Sequence, residues 1–373
     1  MMDYLVYYDP DGTTCTRLIQ DHKIDPKNLW VWDNLPTHRA LLKVLSKKFG
    51  FTLIEETKWT NNILPFSTHN VPSLMGLPQH YINRRWHKLI LENYYMKFDR
   101  IISNPPYDDS MWVKAMQQHP RLLKPHGEFQ FLVPNKILTP FTKGATFAKE
   151  NLSIDRIDLT YGKSFIPAIE GTWACNVVGG LGKTDKFPLT LPSGDVVETD
   201  FDSPNPVMEM DKVDFDLHHK VMRKDNKFIF HKTERIDSKY FCYMRPTPSR
   251  VDNKLRYQGI VNEFVEKDTV VGLTEKGKEI VCKATKNGFY QVCKSKEQAE
   301  RMLKIYTESE LFRYISYCNI GFVMITRFNK KFLPNIEDCL YNSEQDVYNF
   351  FNINDEEIEH IQNVLNKSRD RHH

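Results

Sequence analysis

Short runs of β-branched and aromatic residues alternate with longer stretches of helical apolar spacing along the first half of the chain. Such runs predict strands, whereas apolar residues three and four positions apart predict amphipathic helices. Strands are predicted at 4–8, 29–32, 51–54, 98–102, 129–133, 154–159 and 172–178. Helices are predicted at 15–21, 36–49 and 108–123, and a turn at 124–127. Elements in this order form βαβ units, so we expect an α/β domain with a mainly parallel sheet.

This rhythm ends near residue 180. Prolines, glycines and lysines cluster over 183–206, and we interpret that stretch as a linker or surface loop. Short β-prone runs follow without a βαβ rhythm, and a capping residue with following acids predicts a helix over 354–361. We therefore predict a first domain over 1–185 and an α+β region over 186–373 that contains this C-terminal helix.

Composition narrows the class of protein without identifying its chemistry. With 373 residues, 40% apolar and 27% charged, the chain has the balance of a soluble globular protein with two domains. Seven scattered cysteines without a Cys-x-x-Cys pair argue against a disulfide framework or a zinc site. The N-terminus has no basic segment followed by an apolar one, and no apolar run reaches membrane-spanning length. We therefore expect a cytoplasmic protein with no membrane partner.

The most informative stretch is 98–107, FDRIISNPPY, in which two prolines follow a predicted strand and force the chain out of the sheet. The Asn104 amide oxygen and the Pro105 carbonyl can both accept hydrogen bonds from one exocyclic NH2 group. Tyr107 adds a flat face on which a base can stack, at about 1–3 kcal/mol per base. The stretch predicts a rigid loop that binds a planar amine. A plain proline turn capped by the asparagine is the alternative.

This Asn-Pro-Pro-Tyr run resembles the catalytic motif of S-adenosylmethionine-dependent amino-methyltransferases. Its flanks and the order of the two regions resemble the gamma-type, restriction–modification-like N6-adenine DNA methyltransferases. The resemblance implies a class I methyltransferase, Rossmann-like fold and methyl transfer to adenine N6 of a flipped-out base. It implies catalytic roles for Asn104, Pro105, Pro106 and Tyr107, with Tyr107 and Phe165 stacking on opposite faces of the base. An aromatic residue of the core is the alternative for Phe165.

The earlier strands match the cofactor half of the same family in their order. The resemblance implies that S-adenosylmethionine binds at Asp9, Pro10, Gly12, Asp33, Glu56 and Asn104, and it implies no metal. Asp33 occupies the place of the acid that binds the ribose hydroxyls, and capping of the next helix is its alternative. The glycine-rich turn departs from the family, because Thr14 stands where a second glycine is expected. A variant turn and a weakened cofactor site are both open outcomes of that departure.

Lysines and arginines are interleaved with aromatic residues after residue 186, which suits phosphate contacts with some base reading. The net charge of +3 is only mildly basic, so a DNA-binding face has to come from such local clustering. The resemblance places a DNA target-recognition region here, with double-stranded DNA as partner and a cognate restriction endonuclease as a second candidate. Methylation of RNA adenine or protein glutamine, or an inactive methyltransferase-fold DNA-binding protein, are the alternatives. The sequence does not specify an oligomeric state.

Overall fold

The computed structural model describes residues 2–7, 9, 11–33, 36–54, 97–105, 111–160, 174–205, 211–223, 240–244, 260–266, 269–273, 279–283, 289–319 and 332–370. Among these residues, the first sheet contains β1 (Tyr4–Tyr7), β2 (Leu29–Trp32), β3 (Thr52–Leu53), β4 (Phe98–Ser103), β5 (Leu123–Pro134), β6 (Leu152–Asp158), β7 (Ala174–Leu181), β8 (Phe187–Thr190) and β9 (Val196–Thr199). The helices between these strands are α1 (Thr13–Gln20), α2 (Pro36–Phe49), α3 (Met111–Leu122) and α4 (Lys143–Asn151). Short 3₁₀ segments lie at Pro26–Asn28 and Asn135–Leu138.

The strands are arranged in the order β3-β2-β1-β4-β5-β7-β6-β8-β9. From β3 to β5 every pair is parallel, and β7 runs antiparallel between β5 and β6. A parallel sheet with one reversed strand inserted between its fifth and sixth strands is the class I methyltransferase, Rossmann-like arrangement. The predicted α/β fold class with a mainly parallel sheet is therefore confirmed.

The sheet is buried on both faces, which explains why its strands are almost continuously apolar. Along β1, Leu5 and Tyr7 belong to one apolar cluster and Val6 belongs to another. Ile101 and Ile102 in β4 divide in the same way. Successive side chains of a strand point to opposite faces, so the two clusters are cores on either side of the sheet.

The stretch interpreted as a linker is instead part of the sheet. It contains β8 and β9, an antiparallel pair that extends the sheet past residue 185. Phe187 and Leu189 are buried in the main core, and Pro188 is exposed between them. The interpretation was wrong because it weighed prolines and glycines above this alternation of buried and exposed positions. The division into domains at residue 185 stays a prediction.

The turn predicted at 124–127 also differs from the structure, because β5 already begins at Leu123. Leu123 pairs with Phe98 and Glu128 pairs with Arg100, so residues 124–127 lie opposite Asp99 alone. The extra residues form an irregular bulge within the strand rather than a turn before it. Lys124 in this bulge donates a hydrogen bond to the Asp99 carboxylate at 2.8 Å, which links the bulge to the neighbouring strand.

The later part of the chain forms a separate antiparallel sheet and a set of helices. Its strands are β10 (Tyr240–Met244), β11 (Ile260–Glu266), β12 (Thr269–Leu273), β13 (Glu279–Lys283) and β14 (Phe289–Cys293), in the order β13-β12-β11-β10-β14. The helices are α5 (Lys212–Val221), α6 (Lys296–Glu308), α7 (Glu310–Asn319), α8 (Glu344–Phe350) and α9 (Asp355–Asp370). This is the α+β region expected after the first domain.

The predicted C-terminal helix is confirmed as α9, and its start follows the predicted capping chemistry. The Asn354 side chain accepts a hydrogen bond from the Glu357 N–H at 2.9 Å, and the Glu357 carboxylate accepts one from the Asn354 N–H at 2.8 Å. Helix α5 connects the two cores of the chain. Its Phe215 belongs to the core of the first sheet, whereas Leu217 belongs to the core of the later helices.

Candidate functional site

The carboxyl ends of β1, β2 and β4 meet at one edge of the first sheet. Tyr7, the last residue of β1, pairs with Trp32 of β2 on one side and with Ser103 of β4 on the other. The chain leaves β1 towards β2 and β3 on one side, and β4 and β5 continue the sheet on the other. Such a reversal of strand order opens a crevice at the carboxyl ends of the strands, where open α/β sheets bind their ligands.

Two stacked aromatic rings support this edge of the sheet. The rings of Tyr7 and Trp32 are stacked with centroids 4.5 Å apart and planes 11° apart. Both residues are buried in the main core. The polar residues that follow these two strands therefore stand on a packed and rigid support.

Asp9 follows β1 and is 1% exposed. One oxygen of its carboxylate accepts a hydrogen bond from the Thr14 N–H at 3.1 Å, and the other accepts one from the Cys15 N–H at 2.8 Å. Asp11 accepts a further hydrogen bond from the Thr13 N–H at 3.0 Å. The first three amides of α1 are thus all bonded to carboxylates of the chain itself. A helix start with free amides binds phosphate, and this helix start offers none of these three.

Burial and hydrogen bonding act in opposite directions on the Asp9 carboxyl. Burial raises its pKa above the ordinary value of 3.8, and the hydrogen bonds from the Cys15 and Thr14 N–H groups oppose that rise. Burial, with Asp9 beside it, also raises the pKa of the Cys15 thiol well above its usual range. The Cys15 thiol is therefore neutral and points its hydrogen bond at the Gly12 carbonyl, 3.2 Å away.

Gly12 precedes α1 with φ +69°, in the left-handed region that favours glycine. A Cβ added there would overlap the Leu45 side chain of α2. The described neighbours of this position are side chains of α2, Leu42 and Leu45. Its lack of a side chain therefore allows the turn to pack against α2.

Asp33 follows β2, at the position predicted for the ribose-binding acid, and its side chain is 0% exposed. His38 Nδ1 lies 3.0 Å from Asp33 Oδ2, and the His38 side chain is 24% exposed. Arg39 donates from one guanidinium nitrogen to the backbone carbonyls of Asp33 and Ile54, at 3.2 and 3.4 Å. Arg39 thereby ties the end of β2 to the end of β3. His38 and Arg39 were missed by the sequence reasoning, and only their place in the first turns after Asp33 could have pointed to them.

Asn104 and Pro105 follow β4. The Asn104 N–H donates to the Tyr7 carbonyl at 3.2 Å, which fixes the start of this loop to the end of β1. Asn104 is partly exposed and Pro105 is buried. The structure therefore brings Asp9, Gly12, Asp33 and Asn104 to one edge of the sheet. Of the other predicted site residues, Pro10, Glu56, Pro106, Tyr107 and Phe165 lie outside the described residues.

A second group of ligand-type side chains lies in the later part of the chain. Asp211, Asp214 and His360 bring one ligand atom each within 4.8 Å of the others. Asp214 Oδ1 accepts a hydrogen bond from the Tyr314 hydroxyl at 2.5 Å and lies 2.7 Å from His360 Nε2. Asp211 and Asp214 also cap α5 reciprocally. These contacts explain the group as a connection between α5, α7 and α9.

No family model and no curated relative matches this chain. A predicted O-methyltransferase from Agrobacterium tumefaciens has 11% identity over 51% of this chain and 77% of its own, with a TM-score of 0.32. The type I restriction–modification methyltransferase subunit from Streptococcus thermophilus has 11% identity over 50% of this chain and 42% of its own, with a TM-score of 0.32. A ribosomal-protein methylase from Lactobacillus delbrueckii subsp. bulgaricus has 12% identity over 49% of this chain and 70% of its own, with a TM-score of 0.30.

The present chain thus spans less than half of the restriction–modification subunit. The fold assignment stands on the order and direction of the strands. In the part of the chain that the structure describes, no helix combines the length and the apolarity needed to cross a membrane.

Proposed function

We propose that the chain is a site-specific DNA adenine methyltransferase that uses S-adenosylmethionine to methylate N6 of a flipped-out adenine. The observation that carries the proposal is the position of Asn104. This partly exposed amide stands at the reversal of strand order between β1 and β4, and its backbone is fixed to the Tyr7 carbonyl. A primary amide carried on a fixed backbone at a ligand crevice is suited to accept a hydrogen bond from an exocyclic amine.

The start of α1 supports a nucleoside cofactor without phosphates. Dinucleotide cofactors place their pyrophosphate on free amides at this helix start. Here the amides of Thr13, Thr14 and Cys15 are already bonded to Asp9 and Asp11, so a pyrophosphate does not fit. S-adenosylmethionine has no phosphate and supplies an electrophilic methyl group. We propose that it binds at the site predicted from Asp9, Pro10, Gly12, Asp33, Glu56 and Asn104, where the buried acids Asp9 and Asp33 hold neighbouring groups in place and Asn104 faces the acceptor amine.

The chain's own contribution to the reaction is positioning and electrostatics. Asn104 accepts a hydrogen bond from the adenine amine, and the Pro105 carbonyl supplies the second acceptor. Two acceptors favour a tetrahedral nitrogen whose lone pair faces the methyl donor. As the nitrogen–carbon bond forms, the methyl–sulfur bond breaks, S-adenosylhomocysteine leaves and the amine loses one proton to solvent. Tyr107 and Phe165 hold the base by stacking, and Pro106 fixes the loop. Extrusion of the base from the duplex costs a few kcal/mol, which stacking at about 1–3 kcal/mol per ring can offset.

DNA is the acceptor that we favour because a substantial α+β region follows the methyltransferase-type sheet. Residues 186–373 would recognise the target sequence on double-stranded DNA, and a cognate restriction endonuclease is the second proposed partner. RNA adenine and protein glutamine are the rival methyl acceptors, because each also has an NH2 group that the Asn104 amide oxygen could bind.

One observation favours a second candidate, a DNA-binding protein without activity. The Asp9 and Asp33 carboxylates are both buried and bonded to groups of the chain, and neither is open to a ligand as it stands. Calorimetry with S-adenosylmethionine separates this candidate from the catalytic ones, because only the catalytic ones require the cofactor to bind.

Transfer of tritiated methyl groups tests the acceptor. The protein is incubated with tritiated S-adenosylmethionine and, in parallel, with unmethylated genomic DNA, total RNA and a protein extract. We expect label on DNA, in an amount that falls when the DNA is methylated beforehand by the same protein. Label on RNA or protein alone would contradict the DNA assignment. Cofactor binding without label on any acceptor would contradict the proposed reaction.

A further inference from the structure

Asp33 lies where a ribose-binding acid is expected, but its side chain does not reach solvent. The exposed fraction of the Asp33 side chain is 0%, whereas that of His38 is 24%. His38 is thus the exposed member of the pair that follows β2. A ligand at this end of the strand can therefore contact the imidazole, whereas the carboxylate is not accessible to it.

We infer that His38 contacts a hydroxyl of the ligand's ribose and that Asp33 is the positioning residue behind it. The inference rests on the proposed function, because it assigns a contact within the proposed nucleoside site. It reverses the order expected from the sequence, in which the acid itself binds the ribose hydroxyls.

The chemistry of the pair determines what the imidazole presents. An ionised carboxylate only accepts hydrogen bonds, so the contact of 3.0 Å between Asp33 Oδ2 and His38 Nδ1 requires Nδ1 to donate. In the neutral ring Nε2 is then an acceptor, directed away from the carboxylate. A ribose hydroxyl is a donor that matches this atom. The buried acid thus fixes both the tautomer and the direction of the ring, as in other carboxylate–histidine pairs.

The backbone under the pair is held on both sides. Arg39 binds the carbonyls that follow β2 and β3, so the loop that carries Asp33 and the first turn of α2 are tied together. The stacked rings of Tyr7 and Trp32 support the same edge. A binding residue on such a support loses little entropy when a ligand arrives.

Two substitutions, His38→Asn and His38→Gln, test the roles of the two His38 nitrogens separately. Asparagine places a polar atom near the position of Nδ1 and keeps the link to Asp33, but it lacks the ligand-facing atom. Glutamine reaches the position of Nε2 and keeps the ligand-facing atom. The dissociation constant of S-adenosylhomocysteine, and of its 2′-deoxy and 3′-deoxy forms, is measured by calorimetry on the full chain. His22→Asn, at an exposed histidine outside the edge, is the matched control.

We expect S-adenosylhomocysteine to bind about 3- to 10-fold more weakly to H38N, as for the loss of one hydrogen bond, and to bind H38Q and H22N nearly as tightly as wild type. We also expect wild type and H38Q to bind one deoxy form more weakly than the parent, and H38N to lose that discrimination. Thermal unfolding shows whether H38N is folded. If it is not, weaker binding of the deoxy form than of the parent compound by H38Q supports the inference, and equal binding overturns it.

The opposite pattern overturns the inference. If H38N binds as wild type and H38Q binds weakly, Asp33 is the contact and His38 only orients it. Equal discrimination against the deoxy forms in wild type and H38N also overturns it. Failure of the wild-type protein to bind S-adenosylhomocysteine at all is a different result, because it removes the proposed function itself.

Discussion

The polar residues that follow β1 and β2 are buried, whereas the polar residue that follows β4 is partly exposed, although all three strands end at one edge of the sheet. Asp9 and Asp33 are buried, and their carboxylates are bonded to the α1 amides and to His38. Asn104 is partly exposed and is fixed through its backbone N–H. Burial of a charge costs far more than burial of an amide, so the two acids require partners from the chain itself.

This difference separates structural roles from chemical ones along a single edge. The acids hold α1 and orient His38, which shapes the crevice without being presented to it. The amide remains where a ligand can reach it. Substitutions at the two kinds of position should therefore affect different quantities, stability at the first and methyl transfer at the second.

Replacement of Asn104 should give the largest effect. Asn104→Ala removes the proposed acceptor of the target amine, and we expect kcat to fall about 10²- to 10³-fold while the dissociation constant of S-adenosylmethionine changes little. Asn151→Ala, at an exposed asparagine at the end of α4, is the control and should retain activity. Tritium transfer and calorimetry measure the two quantities. A variant with full activity would remove the distinction between the two ends.

Replacement of Asp9 should affect stability next. Asp9→Ala leaves the Thr14 and Cys15 amides without their acceptor, and we expect a loss of about 2–4 kcal/mol in the free energy of unfolding. Asp25→Ala removes a cap of similar geometry at an exposed residue, so it should cost about 1 kcal/mol or less. Urea denaturation measures both losses. Equal losses would show that burial of the two hydrogen bonds to Asp9 adds nothing to their contribution to stability.

Gly12→Ala should cost less, and it tests why this turn keeps one glycine. The added Cβ would overlap Leu45 at φ +69°, whereas Gly194 has φ +97° with nothing within 4 Å. Both substitutions carry the backbone strain of about 1–2 kcal/mol, and Gly12→Ala should carry about 1 kcal/mol more from overpacking. Leu45→Ala in the same chain should remove that excess. Equal losses for the two glycines in denaturation would contradict the packing role.

The pH dependence of stability should show the smallest effect. The pKa of Asp9 is raised by burial above 3.8, so the stability that Asp9 contributes is present below the ordinary value and is lost as pH rises through the folded-state pKa. The free energy of unfolding of wild type, compared with that of Asp9→Asn, should therefore be more favourable at about pH 4 than at about pH 7. If the stability of wild type relative to Asp9→Asn instead rises with pH, the hydrogen bonds from the α1 amides lower the Asp9 pKa by more than burial raises it.

The parts of this molecule that sequence predicted well are those set by local pattern. The change from strand to proline loop at Asn104 is visible in consecutive residues. The ends of β1, β2 and β4 follow from apolar runs bounded by polar residues. The strand pair β8 and β9 was missed because its prolines and glycines read as a loop, although its alternating buried positions belong to the sheet core.

Long-range packing accounts for the remaining differences. Residues 124–127 stay within β5 because the residues on either side of them pair with β4, and Lys124 adds a bond to Asp99 of that strand; no local pattern contains these contacts. The sequence predicted the place of Asp33 at the end of β2, but its burial and its contact with His38 depend on tertiary packing. Local sequence therefore locates a candidate site, and tertiary packing decides which of its side chains a ligand can reach.

The identity of the methylated atom is the sharpest test of the proposed role of Asn104. DNA incubated with the protein and S-adenosylmethionine is digested to nucleosides, and the products are identified by mass spectrometry beside a reaction with Asn104→Ala. We expect N6-methyladenine in the wild-type reaction and almost none in the variant. A methyl group on another atom, or equal N6-methyladenine from both proteins, would contradict the claim that the Asn104 amide binds the adenine amine.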